Sequence, residues 1–359
     1  LTASTTAANN VAVGSESMAA TTTGHSNTAV GQNSLAANTT ASSNTAVGYN
    51  SLGANTTGTY NTAVGRNAGG AVTTGNSNTH IGWNAGDAIT TGTNNVSVGD
   101  GALSTATTAA NNTAIGSNAL NANTTGNLNT AVGKDAGLAV TTGVQNTLVG
   151  GTAGDAITTG NYNIAVGVGC LSTLSTGAEN VAIGVSAMTN STTCSNNVAV
   201  GGQALQECTT GASNVAIGHN ALDANTTADD NTAVGKSALT ANTTGNNLVA
   251  VGSNALGANT TAANNVAVGA NALLLTTTGA NNTSVGTNSL DANTTGASNT
   301  ALGYRSLSAN ATHSNNVAIG ADALLVNVAD DNTAVGSQAL DANTTGNGNV
   351  GIGRAALTA

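Results

Sequence analysis

The sequence predicts an all-β fold, a parallel β-solenoid (a β-roll or β-helix) of about twenty coils of 17 residues each. A phrase of the type Asn-Thr-Ala-Val-Gly occurs in 21 copies, and 19 of the 20 intervals between copies are 17 residues. Each copy is rich in β-branched and turn-forming residues and poor in helix formers. A short fixed period indicates units that pack mainly against their two neighbours.

Several positions of the repeat are nearly invariant when each unit is numbered from the residue that begins the phrase, which is Asn in every copy except at Leu248. Position 4 is Val, Ile or Leu and position 5 is Gly in all 21 copies. This pattern is typical of short strands separated by Gly and Asn corners, close to the turn length of a three-sided β-helix. Coils stacked at about 4.8 Å predict a rod roughly 100 Å long.

Alternation along the phrase predicts which side chains face the coil interior. Position 4 is always aliphatic, and position 2 is Thr in 11 copies and Val or Ile in ten. We therefore expect positions 2 and 4 to be buried, as at Val47 and Val234, together with Leu or Met at position 9. Positions 6, 7 and 10 are expected to be exposed.

Position 3 is then expected to point outward. It is Ala in 16 copies, and a small apolar residue on the outside predicts that another subunit packs on this Ala face. A tightly stacked outer face is the simpler alternative. The exceptions at position 3 are His80, Ser97, Leu148, Ser284 and Gly351.

Position 9 carries Gly in four copies, and position 12 changes with it. The four copies with Gly at position 9 have Val or Ile at position 12, where most other copies have Asn, Thr or Ser. Such compensation keeps the core volume nearly constant, which a packed interior requires. The pairs are Gly69 with Val72, Gly86 with Ile89, Gly137 with Val140, and Gly154 with Ile157.

Two further features predict backbone structure. Asn at position 1 is expected to form a ladder, with its amide bonded to neighbouring coils and to the backbone at a corner. Gly at position 5 is expected to have a positive φ or to allow close approach of a neighbouring strand. The unit Asn316–Asp331 is one residue short and carries Ala329 at position 14; we expect a local irregularity with the strand register recovered by Ala334.

Composition excludes several classes of protein. The chain has no Phe, no Pro, a net charge of −10 and only five Lys and Arg, so no basic cluster is available for nucleic acid. No run of 18 apolar residues occurs, which argues against membrane insertion. The repeats predict one solenoid domain over residues 1–359, and the start within a unit at Leu1 suggests a fragment of a longer chain without polar caps.

The sequence offers no catalytic, cofactor or metal site, so we expect a protein that is not an enzyme. The four His, at positions 25, 80, 219 and 313, lack ligand-like spacing, and Asp at position 10 never occurs on successive coils. Cys170 is expected to replace a core Ala. Cys194 and Cys208 lie on neighbouring coils but three positions out of register, so two unpaired thiols are favoured over a disulfide.

Position 6 is the most variable outward position, and it carries Tyr49, Arg66, Trp83 and Asp100 on four consecutive coils. Exposed aromatic rings beside charged side chains are typical of glycan surfaces, because the apolar face of a sugar stacks on a ring. We therefore predict a weak polysaccharide-binding site there, with Tyr60 and His80 at its margins. The alternative is that position 6 tolerates any residue.

Two other functions fit part of the pattern. The rank of Thr at position 14, from Thr6 to Thr345, suggests an ice-binding solenoid, but ice-binding faces present two outward ranks. Neighbours such as Thr56 and Thr57 should point to opposite sides. A polysaccharide-cleaving solenoid would need clustered carboxylates or bases, which the sequence lacks.

The unit from Asn44-Thr45-Ala46-Val47-Gly48 to Asn55-Thr56-Thr57-Gly58, with its relatives along almost the whole chain, resembles the repeat arrays of phage tail-fibre and related bacterial surface proteins. Many of those carry an endosialidase-type chaperone. The phrase Asn180-Val181-Ala182-Ile183-Gly184 is similar to the head repeat of trimeric autotransporter adhesins, whose period is usually shorter than 17 residues. Neither a chaperone nor a membrane anchor is recognisable in the 359 residues.

This resemblance implies a homotrimeric β-roll fibre used in attachment, outside the cell on a virion or a cell surface. The expected partners are other copies of the chain and a surface polysaccharide. The sequence thus predicts a non-catalytic fibre shaft, with an ice-binding solenoid as the alternative.

Overall fold

Positions 2 to 4 of each coil form a three-residue β-strand in the computed structural model, which describes residues 3–358. The chain comprises two units, Leu1–Glu179 and Asn180–Ala359. Each is a parallel β-solenoid, and no helix occurs within residues 3–358. The predicted β-solenoid of about twenty coils is confirmed, but each coil has one short strand, where a three-sided β-helix would have several.

The strands recur once per coil in both units. The first unit contains β1 Val11–Val13, β2 Thr28–Val30, β3 Thr45–Val47, β4 Thr62–Val64, β5 Thr79–Ile81, β6 Val96–Val98, β7 Thr113–Ile115, β8 Thr130–Val132, β9 Thr147–Val149 and β10 Ile164–Val166. The second contains β11 Val181–Ile183, β12 Val198–Val200, β13 Val215–Ile217, β14 Thr232–Val234, β15 Val249–Val251, β16 Val266–Val268, β17 Thr283–Val285, β18 Thr300–Leu302, β19 Val317–Ile319, β20 Thr333–Val335 and β21 Val350–Ile352.

Consecutive strands within each unit pair in parallel and in register, so that each position stacks on the same position of the next coil. Ala46 pairs with Ala63, for example, and Ala233 with Ala250. The ladder continues outside the strands, because Leu52 N donates to Ala68 O over 3.0 Å. Backbone groups in the turns are therefore satisfied by the neighbouring coil.

The inside and outside of the strand are the reverse of the prediction. Ala46 at position 3 is fully buried, whereas Val47 at position 4 is 36% exposed, and this alternation recurs in the other strands. Position 2 is half-buried or exposed throughout. The expected Ala face therefore does not exist as a surface, because it lines the interior of each coil. Position 9 is buried as predicted, for example at Leu52.

The interior is too narrow for a branched residue from the strand because position 9 fills the same space. His80 shows this most directly. Its coil has Gly86 at position 9, and the preceding coil has Gly69, where an added Cβ would lie 2.8 Å from His80 Cδ2. Leu148 likewise lies between Gly137 and Gly154. The volume of the interior therefore allows two combinations. One has Ala at position 3 and Leu at position 9, and the other has a large residue at position 3 and Gly at position 9.

The predicted compensation at position 12 is confirmed as part of this arrangement. Val72, Ile89, Val140 and Ile157 are all fully buried in the coils that have Gly at position 9. The two large residues at position 3, His80 and Leu148, also occur in coils that have Gly at position 9.

Gly at position 5 meets both conditions that were predicted for it. Its φ lies between 122° and 140° in all 21 copies, a conformation that L-residues avoid. An added Cβ at Gly133 would lie 2.6 Å from the carbonyl carbon of Gly150 on the next coil. Any side chain at this corner would force the stacked coils apart.

The Asn ladder at position 1 is also confirmed. Asn44 donates its Nδ2 to Gly58 O over 2.9 Å, and its Oδ1 accepts the backbone N–H of Asn61 over 2.9 Å. All these amides from Asn27 to Asn332 are fully buried, and Leu248 is buried in the one coil that lacks an Asn. Each Asn thus closes its own coil and joins it to the next.

A second row of buried Asn occupies position 12 in many coils. Asn55 Nδ2 donates to Gly58 O over 3.0 Å, which folds positions 12 to 15 into a tight corner. Thr56 at position 13 donates its hydroxyl to Thr73 O on the next coil over 3.1 Å, while Thr57 at position 14 is exposed. The two adjacent Thr residues therefore differ in exposure and in hydrogen bonding.

The shortened coil, Asn316–Asp331, keeps the strand register, as predicted, since Ala318 pairs with Ala334. The missing residue lies in the corner between positions 12 and 15. Asn327 Nδ2 donates to Ala329 O, two residues ahead, where other coils span three residues. Ala329 therefore takes the buried position 15, and the residue lost is one of the Thr pair.

Candidate interaction surface

The outward face of the strands is a regular, largely apolar surface in each unit. Side chains at positions 2 and 4 form two parallel ranks on it, Thr, Val or Ile at position 2 and Val, Ile or Leu at position 4. Position 4 side chains such as Val47, Ile217 and Leu302 are 36 to 46% exposed. Contiguous exposed aliphatic side chains of this kind typically mark an interaction surface.

Two rims border this outward face. The residue at position 17 precedes each strand and the residue at position 6 follows it, and both are mostly exposed. The position-6 rim is basic and the position-17 rim is acidic. The basic rim contains Arg66, Lys134, Lys236 and Arg354, with Asp100 as its one acid. The acidic rim contains Glu179, Asp230 and Asp331.

The proposed polysaccharide site lies partly on one rim. Tyr49, Arg66, Trp83 and Asp100 occupy position 6 of consecutive coils, and all are exposed. The guanidinium carbon of Arg66 is 5.7 Å from the centre of the Tyr49 ring, within the range of a cation–π interaction. These four side chains therefore form one continuous column on the surface.

Tyr60 belongs to the opposite rim. It is at position 17, 68% exposed, and strand β4 lies between it and Arg66. Within one chain it does not lie beside the column, contrary to the expectation that it lies at the margin of the polysaccharide site.

His80 is not part of any surface, because it is fully buried. Its Nδ1 lies 2.7 Å from Ser97 Oγ on the next coil, and its Nε2 has no hydrogen-bond partner. Burial lowers the pKa of His80 from 6.5 to about 4 by desolvation. The imidazole is therefore neutral at physiological pH, and the proposed site loses this residue.

The cysteines differ from the prediction in one respect. Cys194 and Cys208 form a buried disulfide, with their Cα atoms 6.5 Å apart. Cys194 is at position 15 and Cys208 at position 12 of the next coil, and the tight corner between positions 12 and 15 brings these positions together. Cys170 is buried in the small-residue position, as predicted, and burial raises the pKa of its thiol to about 11.

Positions 7 and 10 are mostly half-buried, which corrects the prediction that they are exposed. Asn50 Nδ2 at position 7 donates to Asn67 Oδ1 over 3.0 Å, so this position forms a ladder of its own. At position 10, partial burial raises the pKa of Asp87, Asp155 and Asp223. These carboxylates lie on separate coils and do not form an acid–base pair.

No group of three or more His, Cys, Asp or Glu that could hold a metal ion occurs in residues 3–358. The same part of the chain has no helix long and apolar enough to cross a membrane. The charge difference between the rims could have been found from the sequence, since four of the five Lys and Arg occupy position 6. A comparison of the chain with family models and with curated proteins found no match.

Proposed function

We propose that the chain is a non-catalytic shaft segment of an extracellular fibre, a phage tail fibre or a cell-surface adhesin, and that it assembles as a homotrimer. The observation that carries this proposal is the outward face, on which positions 2 and 4 present unbroken aliphatic and Thr ranks along each unit. Burial of apolar surface drives association. Three copies packed on this face would share an apolar core, which replaces the Ala face as the interface.

Two observations support the extracellular fibre. The disulfide between Cys194 and Cys208 is typical of proteins that mature in an oxidising compartment. The repeats also vary most on the outside, at position 6, while their cores and corners are nearly constant. A shaft of this kind sets the spacing between attached parts without chemistry of its own.

Solution mass tests the assembly. We expect the wild-type protein to have three times the chain mass of 34.1 kDa. Replacing Val234 and Val251 by Asp on the outward face should give a folded monomer with an unchanged circular dichroism spectrum. Replacing Thr227 and Thr244, which are exposed at position 14 of the same region, by Asp is the matched control and should leave the trimer intact. A monomeric wild-type protein would contradict the proposal.

Ice binding is the second candidate, and the outward face favours it more than the sequence did. Positions 2 and 4 supply the two outward ranks that positions 12 to 14 lack, with consecutive Thr at Thr28, Thr45, Thr62 and Thr79. Thermal hysteresis of the purified protein distinguishes the two candidates. A face covered by other copies should produce none, whereas hysteresis abolished by the Val234→Asp and Val251→Asp changes would favour ice binding.

Weak polysaccharide binding by the position-6 column is a further part of the proposal. It is supported by the exposure of Tyr49 and Trp83 and by the Arg66 guanidinium stacked near the Tyr49 ring. Repetition in a trimer would raise the avidity of a weak site. Binding to a glycan array should fall in Trp83→Ala and persist in Tyr304→Ala, an equally exposed position-6 aromatic outside the column. Equal binding by the two variants would contradict polysaccharide binding by the column.

A further inference from the structure

The two rims of the outward face carry opposite charge, and this restricts how copies can meet. All the Lys and Arg residues on the two rims are at position 6. The acidic residues Asp230, Asp331 and Glu179 are at position 17. The Asp230 and Lys236 side chains flank strand β14 and are both exposed. Neither forms an ion pair within the described part of the chain.

Symmetry decides which rims face each other. Copies related by rotation about an axis along the stacking direction place position 17 of one copy beside position 6 of the next, at the same strand. Two copies packed face to face with coils running in opposite directions place like rims together. Since like charges repel and opposite charges attract across an interface, the charge pattern favours the parallel arrangement.

We infer that copies of the chain associate in parallel and in register, with Asp230 of one copy paired with Lys236 of its neighbour across each boundary. The inference rests on the proposed assembly through the outward face and adds its direction and register. The residues flanking β4 fit the same rule, because Tyr60 on one rim is at the level of Arg66 on the other, a cation–π pair between copies. Tyr162 and Val168, which flank β10 and are 51% and 59% exposed, would form an apolar pair.

The same geometry gives Tyr60 a place beside the position-6 column. Within one chain, β4 separates Tyr60 from Arg66, but in a parallel ring the Tyr60 of the neighbouring copy borders Arg66 and Tyr49. Two exposed aromatic rings and a guanidinium would then meet at each boundary between copies. In the antiparallel alternative, Tyr60 faces another position-17 residue and this cluster is not formed.

Charge reversal tests the pairing. Asp230→Lys and Lys236→Asp should each weaken trimer assembly, by up to about five-fold for each lost pair and on the order of a hundredfold over three boundaries. The double variant Asp230→Lys/Lys236→Asp should restore assembly, because the pair is reversed and not lost. Glu207→Lys, an exposed change away from both rims, is the control and should have little effect. Failure of the double variant to recover would overturn the inference.

Disulfide trapping tests the same contact without relying on charge. Residues 230 and 236 lie at opposite ends of a strand, up to about 20 Å apart along an extended chain, so cysteines there cannot join within one copy. Mild oxidation of Asp230→Cys/Lys236→Cys should give a covalent trimer on a non-reducing gel, and each single variant should give none. The native cysteines do not interfere, being either paired or buried.

The outcomes separate this inference from the proposed function. A wild-type monomer contradicts the assembly itself. A wild-type oligomer in which the double-cysteine variant forms no covalent trimer leaves the fibre proposal standing and refutes parallel, in-register packing. Covalent dimers of a single variant, Asp230→Cys alone, would indicate that like rims meet and would also refute it.

Discussion

The imidazole of His80 lies against the backbone of Gly86 on its own coil, in the space that a position-9 side chain would occupy. This coil therefore has Gly in place of Leu at position 9, and His in place of Ala at position 3. Leu148 makes the same exchange with Gly154, without a titratable group. This pair of sites provides a natural control for the cost of a buried imidazole.

His80→Leu is expected to remove an acid sensitivity of the surrounding coils. The pKa of His80 is lowered from 6.5 to about 4 by burial, so the unfolded chain binds the proton more readily than the folded one. The stability that depends on a neutral His80 is fully present above pH 6.5. Below that pH the free energy of unfolding falls, by up to about 3 kcal/mol at pH 4. Hydrogen exchange of the β5 and β6 coils as a function of pH measures this. His219→Leu, at an exposed position, should leave the pH dependence in place.

Gly86→Ala should destabilise the same coils by about 1 to 3 kcal/mol, because the new methyl group overlaps the His80 ring. The double variant Gly86→Ala/His80→Ala should recover most of this loss, since Ala at position 3 is the common solution. Urea denaturation of the three proteins measures the coupling. Equal losses in the single and double variants would show that the positive φ at Gly86, and not the imidazole, is responsible. Gly151→Ala, with nothing near its added Cβ, is the control.

Asn44→Ala is expected to cost about 3 kcal/mol or more. The change removes the bond from Asn44 Nδ2 to Gly58 O and leaves the buried N–H of Asn61 without its acceptor. Asn50→Ala, which removes one half-buried side-chain bond to Asn67, should cost clearly less. Thermal denaturation of both variants makes the comparison. Similar losses would mean that the position-1 ladder has no special role.

The thiols should be almost inert in the folded protein. Burial raises the pKa of Cys170 to about 11, so little thiolate exists at pH 8, and Cys194 is bonded to Cys208. Iodoacetamide should modify no cysteine in the native state, one in denaturant, and all three after reduction in denaturant. Mass spectrometry counts the modified sites. Three modified sites in denaturant without reductant would contradict the disulfide.

The sequence determines much of this fold because its period repeats the same physical constraints many times. The solenoid, the corner at position 5, the Asn ladder and the buried Leu at position 9 all follow from residue types that recur. Which side chains of the strand face the interior could not be predicted in this way. Hydrophobicity places Val47 inside, but the interior beside Leu52 has room only for Ala46, and this volume limit is visible in the sequence only through rare coils such as that of His80.

The candidate surface was predicted less well, for the same reason. With the strand reversed, the apolar face that was expected to be core becomes the surface, and the expected Ala interface becomes core. The exposure of position 6 was predicted correctly, because a position with no preferred residue type is seldom buried. The pairing of Cys194 with Cys208 was missed because numbering along the repeat does not show that the chain turns back between positions 12 and 15.

The buried Asn at position 12 has a consequence for where the chain can be made. Asn-Thr-Thr at positions 12 to 14 is an acceptor sequence for N-linked glycans, which normally lies on a surface loop. Here Asn55 is fully enclosed, and its Nδ2, the atom that would carry the sugar, donates to Gly58 O. Passage through a secretory route with an oligosaccharyltransferase should attach sugars before the coils close and yield unfolded chains, whereas synthesis without that enzyme should yield folded protein.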